Sequence, residues 1–509
     1  MMRILIQLIH AIAFCFLTLA AQAQQSHSLV FNDYAPQQLD CRLAHQPQTA
    51  YLSMPGLGNA SMSISNSMVH PAEWLSQTDM NSLSTLNLDE VFASWASPNL
   101  VGASVEVDWL QFGLFLNKKS SFVHGGIRES VQFSLSMPSD LMTLPWTGNA
   151  NFELLGEGGL ELSGLAFHAE HTRSFYAGWQ QKWNEQFTSG LRLSYIQGIR
   201  HLQVSTEDLT WNTNSDTWDW ELTGQGSLLS SGMWPIVQAI ESGDFGQEDE
   251  QRLKDELKAG LGNGIGVDFG LEYQWSPKWT SFCQVNGLGG VRWRSDLRNY
   301  TTQPAALSFS GLTWAESEDW LFANAADSVA EWGQGIAEEL EEQLSSQENN
   351  NGYRTKLGTR WSLGTEYSPW PESAWKPSLG IVLLKESNLP MSWRMSWNQQ
   401  WGRIMETSLT WGGREGLGQS AGGGIAFNAG PIVLTLAADS HRMLQWSELA
   451  VDSTKGVSES YYVPSYAPLM QFQAGIVLRF GWWTKKNQAP SKTECETFDV
   501  PSSTSKPNF

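Results

Sequence analysis

A stretch of eleven residues with strictly alternating side chains constrains the fold more than any other feature of the sequence. Residues 265–275 read I-G-V-D-F-G-L-E-Y-Q-W, with an apolar residue at every odd position and glycine or a polar residue at every even position. Because successive side chains of a β-strand point to opposite faces, this period of two predicts a strand with one apolar face. A transmembrane β-strand needs roughly 9–11 residues, so the stretch is long enough to cross a bilayer.

The start of the chain has the pattern of an export signal. Arg3 precedes the apolar run 4–20, and Ala21-Gln22-Ala23 matches a small-x-small cleavage site. The sequence therefore predicts a signal peptide over residues 1–23 and a mature chain that begins at Gln24. A retained signal anchor is the alternative, although the apolar run is short for a membrane-spanning helix.

After the cleavage site the sequence has no run of roughly eighteen apolar residues, which argues against a helical membrane protein and leaves a barrel as the spanning structure. The 46 Gly, 26 Trp and 22 Phe among 509 residues, with only 16% charged residues, agree with many strands and aromatic belts. A soluble β-sandwich also alternates. Strand length, aromatic rims and the export signal together favour a transmembrane barrel in the outer membrane.

Aromatic residues flank the short connections between the predicted strands, whereas long connections fall at about 233–262, 294–353 and 440–469. Short turns at one rim and long loops at the other are typical of outer-membrane barrels, in which the short turns are periplasmic. The predicted aromatic girdle comprises Trp183, Trp211, Trp218, Trp275, Trp279, Trp375, Trp401 and Trp482.

Assigning the strands consistent directions predicts about 14 of them. That number starts from 160–170 and treats 187–199 and 203–212 as separate strands; the segments 110–117 and 121–137 would raise it to about 16. The predicted fold class is all-β, a transmembrane antiparallel β-barrel with short helices in the N-terminal segment and long loops.

The persistence of the alternation divides the mature chain into three parts. Residues 24–109, broken by Pro and Gly, are predicted to form either a plug in the lumen or a periplasmic segment. The barrel is predicted over 110–483, with helical loop insertions at about 233–262 and 315–350. Residues 484–509 are rich in Lys, Pro, Ser and Thr without apolar periodicity, which predicts a disordered tail.

Polar residues that alternate with apolar ones are predicted to face the lumen. They either line the path of a ligand or pair with one another across a filled lumen. The residues concerned are Asp268, Glu272, Gln274, Arg394 and Arg479.

The excess of acidic residues limits the kinds of partner that the chain can bind. The net charge of −21 and the pI of about 4.8 argue against nucleic acid. Between Tyr300 and Tyr353 there are ten acidic residues and no Lys or Arg. The segment 315–350 is therefore either a solvated amphipathic helix or a docking face for a protein partner, beside the outer-membrane lipid that any such barrel contacts.

Two cysteines lie outside the predicted strands. Cys41 and Cys495 stand near the two ends of the chain, and both ends of an even-stranded barrel face the same compartment. In an oxidising periplasm they would form a disulfide; otherwise they remain two thiols.

The sequence predicts no enzyme, cofactor or metal ligand. Gly418-Gln-Ser420-Ala-Gly422 matches the G-x-S-x-G elbow, but that elbow needs a strand before the serine and a helix after it. Strand and turn patterns follow here, so the stretch is interpreted as a Gly-rich loop. His168 and His171 are three residues apart on a predicted strand, where they point to opposite faces and cannot easily share a metal.

Several motifs resemble an uncharacterised family of Bacteroidota outer-membrane barrels, known as a domain of unknown function. They are Tyr51-Leu-Ser-Met-Pro, Gly190-Leu-Arg-Leu-Ser-Tyr, Gly264-Ile-Gly-Val-Asp-Phe-Gly-Leu-Glu-Tyr and Gly289-Gly-Val-Arg-Trp293. The strand motif Gly-x-Asp-x-Gly is also similar to barrels of long-chain fatty-acid transporters and of type IX secretion. The chain departs from the pattern where Gly287-Leu-Gly replaces Asp-Leu-Gly. The resemblance implies a fold and a location, and no activity.

Two hypotheses for function remain. One is passive transport of a small hydrophobic or amphipathic compound through a partly plugged barrel. The other is a structural or adaptor barrel that docks a secretion or surface partner through the acidic segment 315–350. An outer-membrane hydrolase is a distant third.

Overall fold

The computed structural model describes most of the chain. The described residues are 27–66, 99–116, 120–141, 159–214, 219–233, 260–301, 305–309, 348–387, 391–414, 418–441, 445–452, 458–466 and 469–480.

Strands dominate these residues. They are β1 (Ala50–Ser53), β2 (Ala60–Asn66), β3 (Asn99–Leu116), β4 (Ser121–Met137), β5 (Leu160–Glu161), β6 (Ala166–Lys182), β7 (Phe187–Thr213), β8 (Trp220–Ser231), β9 (Gly262–Ser276), β10 (Trp279–Trp293), β11 (Leu297–Thr301), β12 (Ala305–Phe309), β13 (Glu348–Asn349), β14 (Tyr353–Lys356), β15 (Arg360–Tyr367), β16 (Pro377–Glu386), β17 (Ser392–Trp401), β18 (Met405–Arg414), β19 (Gly418–Ala429), β20 (Ile432–His441), β21 (Gln445–Asp452), β22 (Ser458–Tyr466) and β23 (Leu469–Phe480). Two short 3-10 helices, His27–Leu29 and Pro36–Asp40, precede them. Among the described residues no helix is long and apolar enough to cross a membrane.

Antiparallel pairing closes the sheet into a barrel of 14 strands, which confirms the predicted fold class. β1 and β2 share one position in the wall, because both pair with β3 on one side and with β23 on the other. The wall then runs through β4, β6, β7, β9 and β10 to β15, β16, β17, β18, β19 and β20, and back to β23.

The alternation in β9 sorts side chains between the two faces of the wall, as predicted. Ile265 and Phe269 are 65% and 43% exposed on the outer face, whereas Asp268 is 8% exposed on the inner face. Apolar residues outside and polar residues inside are the arrangement of an outer-membrane barrel.

The short turns share one end of the barrel, and exposed tryptophans mark that end. The indole N–H of Trp183 donates to the hydroxyl of Ser189, and that of Trp401 donates to Thr407, each across a short turn. An aromatic ring with a bonded polar N–H suits the membrane interface. The exposed girdle residues at this short-turn end are Trp183, Trp275, Trp279, Trp375 and Trp401. Trp218 and Trp482 lie outside the described residues.

Trp211 was wrongly assigned to this rim. The predicted strands 187–199 and 203–212 are one strand, β7, which is 27 residues long. Its first half pairs with β9 and its second half with β8, so Trp211 lies at the long-loop end, where its ring packs on Trp220 at 4.6 Å. Between the two predicted strands there is only a local irregularity. The residue between Gly198 and Arg200 has no partner on β6, and the pairing of β7 with β6 continues on both sides of it.

The predicted number of wall strands was therefore right, but some of the segments counted as wall strands were wrong. Segment 160–170 belongs partly to β6, and β8 lies beyond the wall. β3, β4 and the β1/β2 pair replace the strands lost in this way. The wall begins at Ala50 rather than at the predicted Leu110, because Pro55 and Gly56 interrupt the first strand and conceal its alternation.

The predicted helical insertions lie largely outside the described residues, at 234–259 and 310–347. The same holds for the tail from 484 and for the signal peptide, so all of these stay predictions. β13, which overlaps the last residues of the second insertion, is a strand, and so is β12, which precedes that insertion.

Candidate functional site: the plugged lumen

A separate segment of the chain fills the short-turn half of the lumen. Residues 27–49 enter from the short-turn end, just before β1, and contact inward-facing side chains of strands from all around the barrel. We call residues 27–49 the plug. Of the two predicted positions for the N-terminal segment, these residues occupy the lumen.

Asp40 is one of the charged residues that join the plug to the wall. Its Oδ2 accepts a hydrogen bond from Arg128 on β4 at 2.8 Å, and its Oδ1 accepts one from Arg192 on β7 at 2.6 Å. Burial raises the pKa of Asp40, but the two arginines outweigh burial and hold that pKa below its usual range. The carboxylate therefore stays charged and binds the plug to two wall strands at once.

The two arginines are themselves neutralised by the wall. Arg128 donates to Asp108 at 2.7 Å, and Arg192 donates to Asp268 at 2.6 Å. Asp268 also accepts the backbone N–H of Gly287 at 2.7 Å. Gly287 has a φ of +72° at an irregularity of β10, a backbone conformation that favours glycine, which accounts for glycine at this departure from the family pattern.

Arg42 forms a second link between the plug and the wall. Its guanidinium donates to Glu272 on β9 at 2.6 Å and to Glu366 on β15 at 2.9 Å. The same group lies 5.3 Å from the ring centroid of Phe282. Burial lowers the pKa of Arg42, but the neighbouring carboxylates outweigh it and raise that pKa, so the charge is maintained.

Asp33 anchors the plug near the short-turn rim. Lys376, in the turn before β16, donates to Asp33 at 3.1 Å, and His45 lies 3.5 Å from the same carboxylate. Burial raises the pKa of Asp33, yet Lys376, His45 and Arg42 together hold it at about 2. The ordinary value is 3.8, so Asp33 is ionised at neutral pH.

A third buried charge cluster receives the start of the plug. The hydroxyl of Ser28 donates to Asp439 on β20 at 2.7 Å, and Arg394 on β17 donates to the same oxygen at 2.8 Å. Arg394 and Asp439 are 2% and 3% exposed. The predicted lumenal position of Arg394 thus places it against the plug, with an acidic partner from the wall.

Arg479 holds the end of the plug. It donates to the hydroxyl of Thr49 at 2.7 Å and lies 5.3 Å from the ring centroid of Tyr34. Gln274 shares the inner face of β9 with Asp268 and Glu272 by alternation. Four of the five predicted lumenal residues therefore contact the plug or the residues that bind it, and an open ligand path along them is not what the contacts show.

Apolar contacts complete the seal. Phe31 packs with Phe282 at a ring distance of 5.9 Å and lies against Gly380, where an added Cβ would be 2.5 Å from its ring. Cys41 belongs to the same buried cluster, and burial raises the pKa of its thiol to about 11. Cys495 lies outside the described residues, so its disulfide with Cys41 stays a prediction.

The sequence did not identify the charges that bind the plug. Asp40 and Arg42 lie in a segment without periodicity, and only their strand partners carried a signal. That signal was an arginine between leucines in Leu191-Arg-Leu193, the same pattern of an inward charge that was recognised at Arg394.

His168 and His171 point to opposite faces of β6, and a different set of residues was missed. His171 contacts Glu129 at 2.6 Å beside Arg173, on the opposite face of β6 from His168. His168 instead lies near Glu170 and His201. The i, i+2 spacing of His168 and Glu170 on one strand was the available signal.

The G-x-S-x-G stretch was wrongly interpreted as a loop. It forms the start of β19, where Ser420 pairs with Gly412 on β18 and with His441 on β20. Ser420 is fully buried within a continuous strand. The strand-turn-helix geometry of a hydrolase nucleophile is thus missing at this position.

A family model described as "Family of unknown function (DUF5723)" matches residues 44–439. The chain belongs to this family. The resemblance to an uncharacterised barrel family is thereby confirmed. No curated protein matches this DUF5723 chain by sequence.

Solved structures similar to this DUF5723 protein include a transporter and a translocator domain. The Pseudomonas putida toluene transporter TodX is 8% identical, with 90% of this chain and 95% of that chain covered and a TM-score of 0.37. A Pseudomonas aeruginosa FadL homologue is 9% identical, with 90% and 97% covered and a TM-score of 0.39. The translocator domain of autotransporter NalP from Neisseria meningitidis is 8% identical, with 90% and 100% covered and a TM-score of 0.34. Likeness at this level adds nothing to what the strand pairing already shows.

Proposed function

We propose that this DUF5723 protein is an outer-membrane channel that is closed by its plug and passes a small hydrophobic or amphipathic compound. The observation that supports it most is the nature of the seal. The lumen is filled by a separate segment rather than by wall side chains alone, and the segment is held through side-chain contacts such as Asp40 with Arg128 and Arg192. Such contacts can break while the hydrogen bonds between wall strands remain intact.

The chemistry of the seal also supports a reversible plug. A buried ion pair is weak evidence for stability, since apolar residues of similar volume often serve as well or better. Charged contacts can instead be released and re-formed with a change in hydration. The ion pairs of Arg42 with Glu272 and Glu366 are suited to a segment that leaves the lumen and returns to the same position.

The experiment compares the mature protein with a variant lacking residues 27–49, both reconstituted in planar bilayers. We expect low conductance from the complete protein and large, stable conductance from the deletion variant. A deletion variant that inserts and folds but conducts no better than the complete protein would overturn the closed channel.

The class of compound is tested separately. Cells with the protein and cells without it are compared for uptake of toluene, of a long-chain fatty acid and of glucose. We expect faster uptake of one of the first two and no change for glucose. Equal uptake of all three compounds by both cell types would overturn hydrophobic transport.

The adaptor hypothesis rests on 315–350, almost all of which lies outside the described residues. It stays a prediction from the sequence, tested by deleting those residues and asking whether a co-purifying protein is lost.

A further inference from the structure

Three side chains of metal-ligand type meet in the long-loop half of the lumen, away from the plug. His168 and Glu170 lie two positions apart on β6, and His201 on β7 pairs directly with Glu170. The ligand atoms of the three residues all lie within 4.8 Å of one another. Alternation puts His168 and Glu170 on one face of β6, so all three can reach a common point.

One ring nitrogen of His201 is available for a ligand among the described residues. The residue is 0% exposed, and its Nε2 has no hydrogen-bond partner within the described part of the chain. Its Nδ1 lies 2.8 Å from the hydroxyl oxygen of Tyr353. If Nδ1–H donates to that oxygen, Nε2 carries the lone pair. A metal-bound histidine has this tautomer, with its other ring N–H donated to an oxygen acceptor.

Hydrogen bonds from two neighbouring side chains fix the orientation of the Glu170 carboxylate. Its Oε1 accepts from the amide of Gln132 at 3.2 Å, and its Oε2 accepts from the hydroxyl of Thr355 at 3.4 Å. The Thr355 hydroxyl in turn accepts the indole N–H of Trp293 at 3.1 Å. Among the described residues, the groups that act on this buried carboxylate are Thr355 and Gln132, and neither is a cation.

We propose that His168, Glu170 and His201 bind one divalent transition-metal ion of the zinc class. Two imidazoles and a carboxylate form a ligand set that zinc uses with a water molecule in the fourth position. Imidazole nitrogen also suits Ni²⁺ and Cu²⁺, whereas Ca²⁺ and Mg²⁺ prefer an all-oxygen set.

The geometry requires only a small adjustment. Tetrahedral ligand atoms at ~2.0–2.1 Å from the ion lie about 3.3 Å apart, so the present limit of 4.8 Å has to shorten by at most about 1.5 Å. His168 is half-buried, and its ring contacts that of His201 edge to face at a centroid distance of 5.3 Å. Rotation of the His168 side chain can supply this movement.

The position of the three residues suggests what a bound ion would do. β7 pairs with β9 up to Gly198, and from His201 onward it pairs with β8 instead. An ion ligated from β6 and β7 would therefore join two strands at the point where the wall branches toward the long loops. This role does not depend on transport.

The experiment titrates Zn²⁺ into the mature, metal-depleted protein in detergent by calorimetry, with Co²⁺ absorption to report a tetrahedral site. The site variants are Glu170→Gln, which preserves shape, and His168→Gln at the half-buried position. His171→Gln is the matched control, because it changes a histidine on the opposite face of the same strand.

We expect one Zn²⁺ per chain, at least a tenfold loss of affinity in each site variant, and unchanged affinity in His171→Gln. Tyr353→Phe should weaken binding about tenfold, as loss of an outer partner of a metal ligand typically does. Absence of stoichiometric binding, or wild-type affinity in both folded site variants, would overturn the proposal. Heat-dependent migration of the folded barrel on gels verifies folding, and His168→Gln keeps the test valid if Glu170→Gln misfolds.

Discussion

The two halves of the lumen are filled by different physical means. In the short-turn half, charged side chains join the plug to the wall, as Asp40 joins Arg128 and Arg192. In the long-loop half, His201, Tyr353 and Trp293 stack and hydrogen-bond within the wall. The first set of contacts can be lost by moving one segment, whereas the second holds wall strands to one another. The two halves thus differ in whether their contacts belong to one segment or to several wall strands.

The largest effect is expected from Asp40→Ala. The substitution leaves Arg128 and Arg192 buried beside the vacated position, and removing one partner of a buried pair typically costs about 3–5 kcal/mol. The plug should open at least a hundredfold more often. Hydrogen exchange of the backbone amides of 27–49, followed by mass spectrometry, measures the change. The wall amides of β16 to β20 should keep their protection.

Glu185→Ala is the matched control, because Glu185 is an exposed acid in the turn between β6 and β7. Equal exchange in both variants would show that the charge of Asp40 does not hold the plug.

Gly380→Ala tests the apolar part of the same seal. The added Cβ would lie 2.5 Å from the ring of Phe31, and such overpacking costs about 1–3 kcal/mol. We expect faster exchange of residues 27–35 with little change in the folding of the wall. At Gly423 the nearest atom to an added Cβ is 3.5 Å away, so Gly423→Ala is the control. If Gly423→Ala loosens the plug as much as Gly380→Ala, the contact with Phe31 is not the cause.

The pH dependence of the plug follows from Asp33. Because its pKa is lowered from 3.8 to about 2, the ionised carboxylate stabilises the docked plug above pH 3.8, and this contribution disappears as the pH falls through 2. The contribution is of order 2 kcal/mol. Protection of 27–49 should fall between about pH 4 and pH 2, and Asp33→Asn should lower protection at pH 7 and flatten that decline. If protection in Asp33→Asn declines with pH as much as in the wild type, other carboxylates cause the decline. The control Glu185→Gln should leave both the protection and its pH dependence unchanged.

The sequence predicted the outer face of the barrel better than its interior. Ile265, Phe269 and Trp275 follow a strict period, and the pleat of a strand turns that period directly into a lipid-facing row. Trp211 was misplaced because aromatic residues also pack at the long-loop end, and an aromatic residue alone does not distinguish the two ends.

The interior was harder to predict because its contacts join residues far apart in the chain. Arg42 contacts Glu366, which is 324 positions away, and the sequence around either residue gives no indication of the other. Periodicity identified Glu272 as inward-facing but gave no reason to place residue 42 beside it. The plug has little regular structure and therefore no periodic sequence pattern, so its contacts with the wall could not be predicted from the sequence.

The smallest effect, and the sharpest test of the contrast between the two halves, is expected from Thr355→Val. Valine matches the shape of threonine but removes the hydroxyl that accepts from Trp293 and donates to Glu170. The contact with Glu170 is long at 3.4 Å, so the main loss is the neutral hydrogen bond from Trp293, which costs about 1 kcal/mol. Exchange should accelerate severalfold along β14 and the last residues of β10, while the plug amides stay as slow as in the wild type. If the plug amides accelerate together with β14, the two halves of the lumen form one cooperative unit, and the plug could not leave without loosening the frame above it.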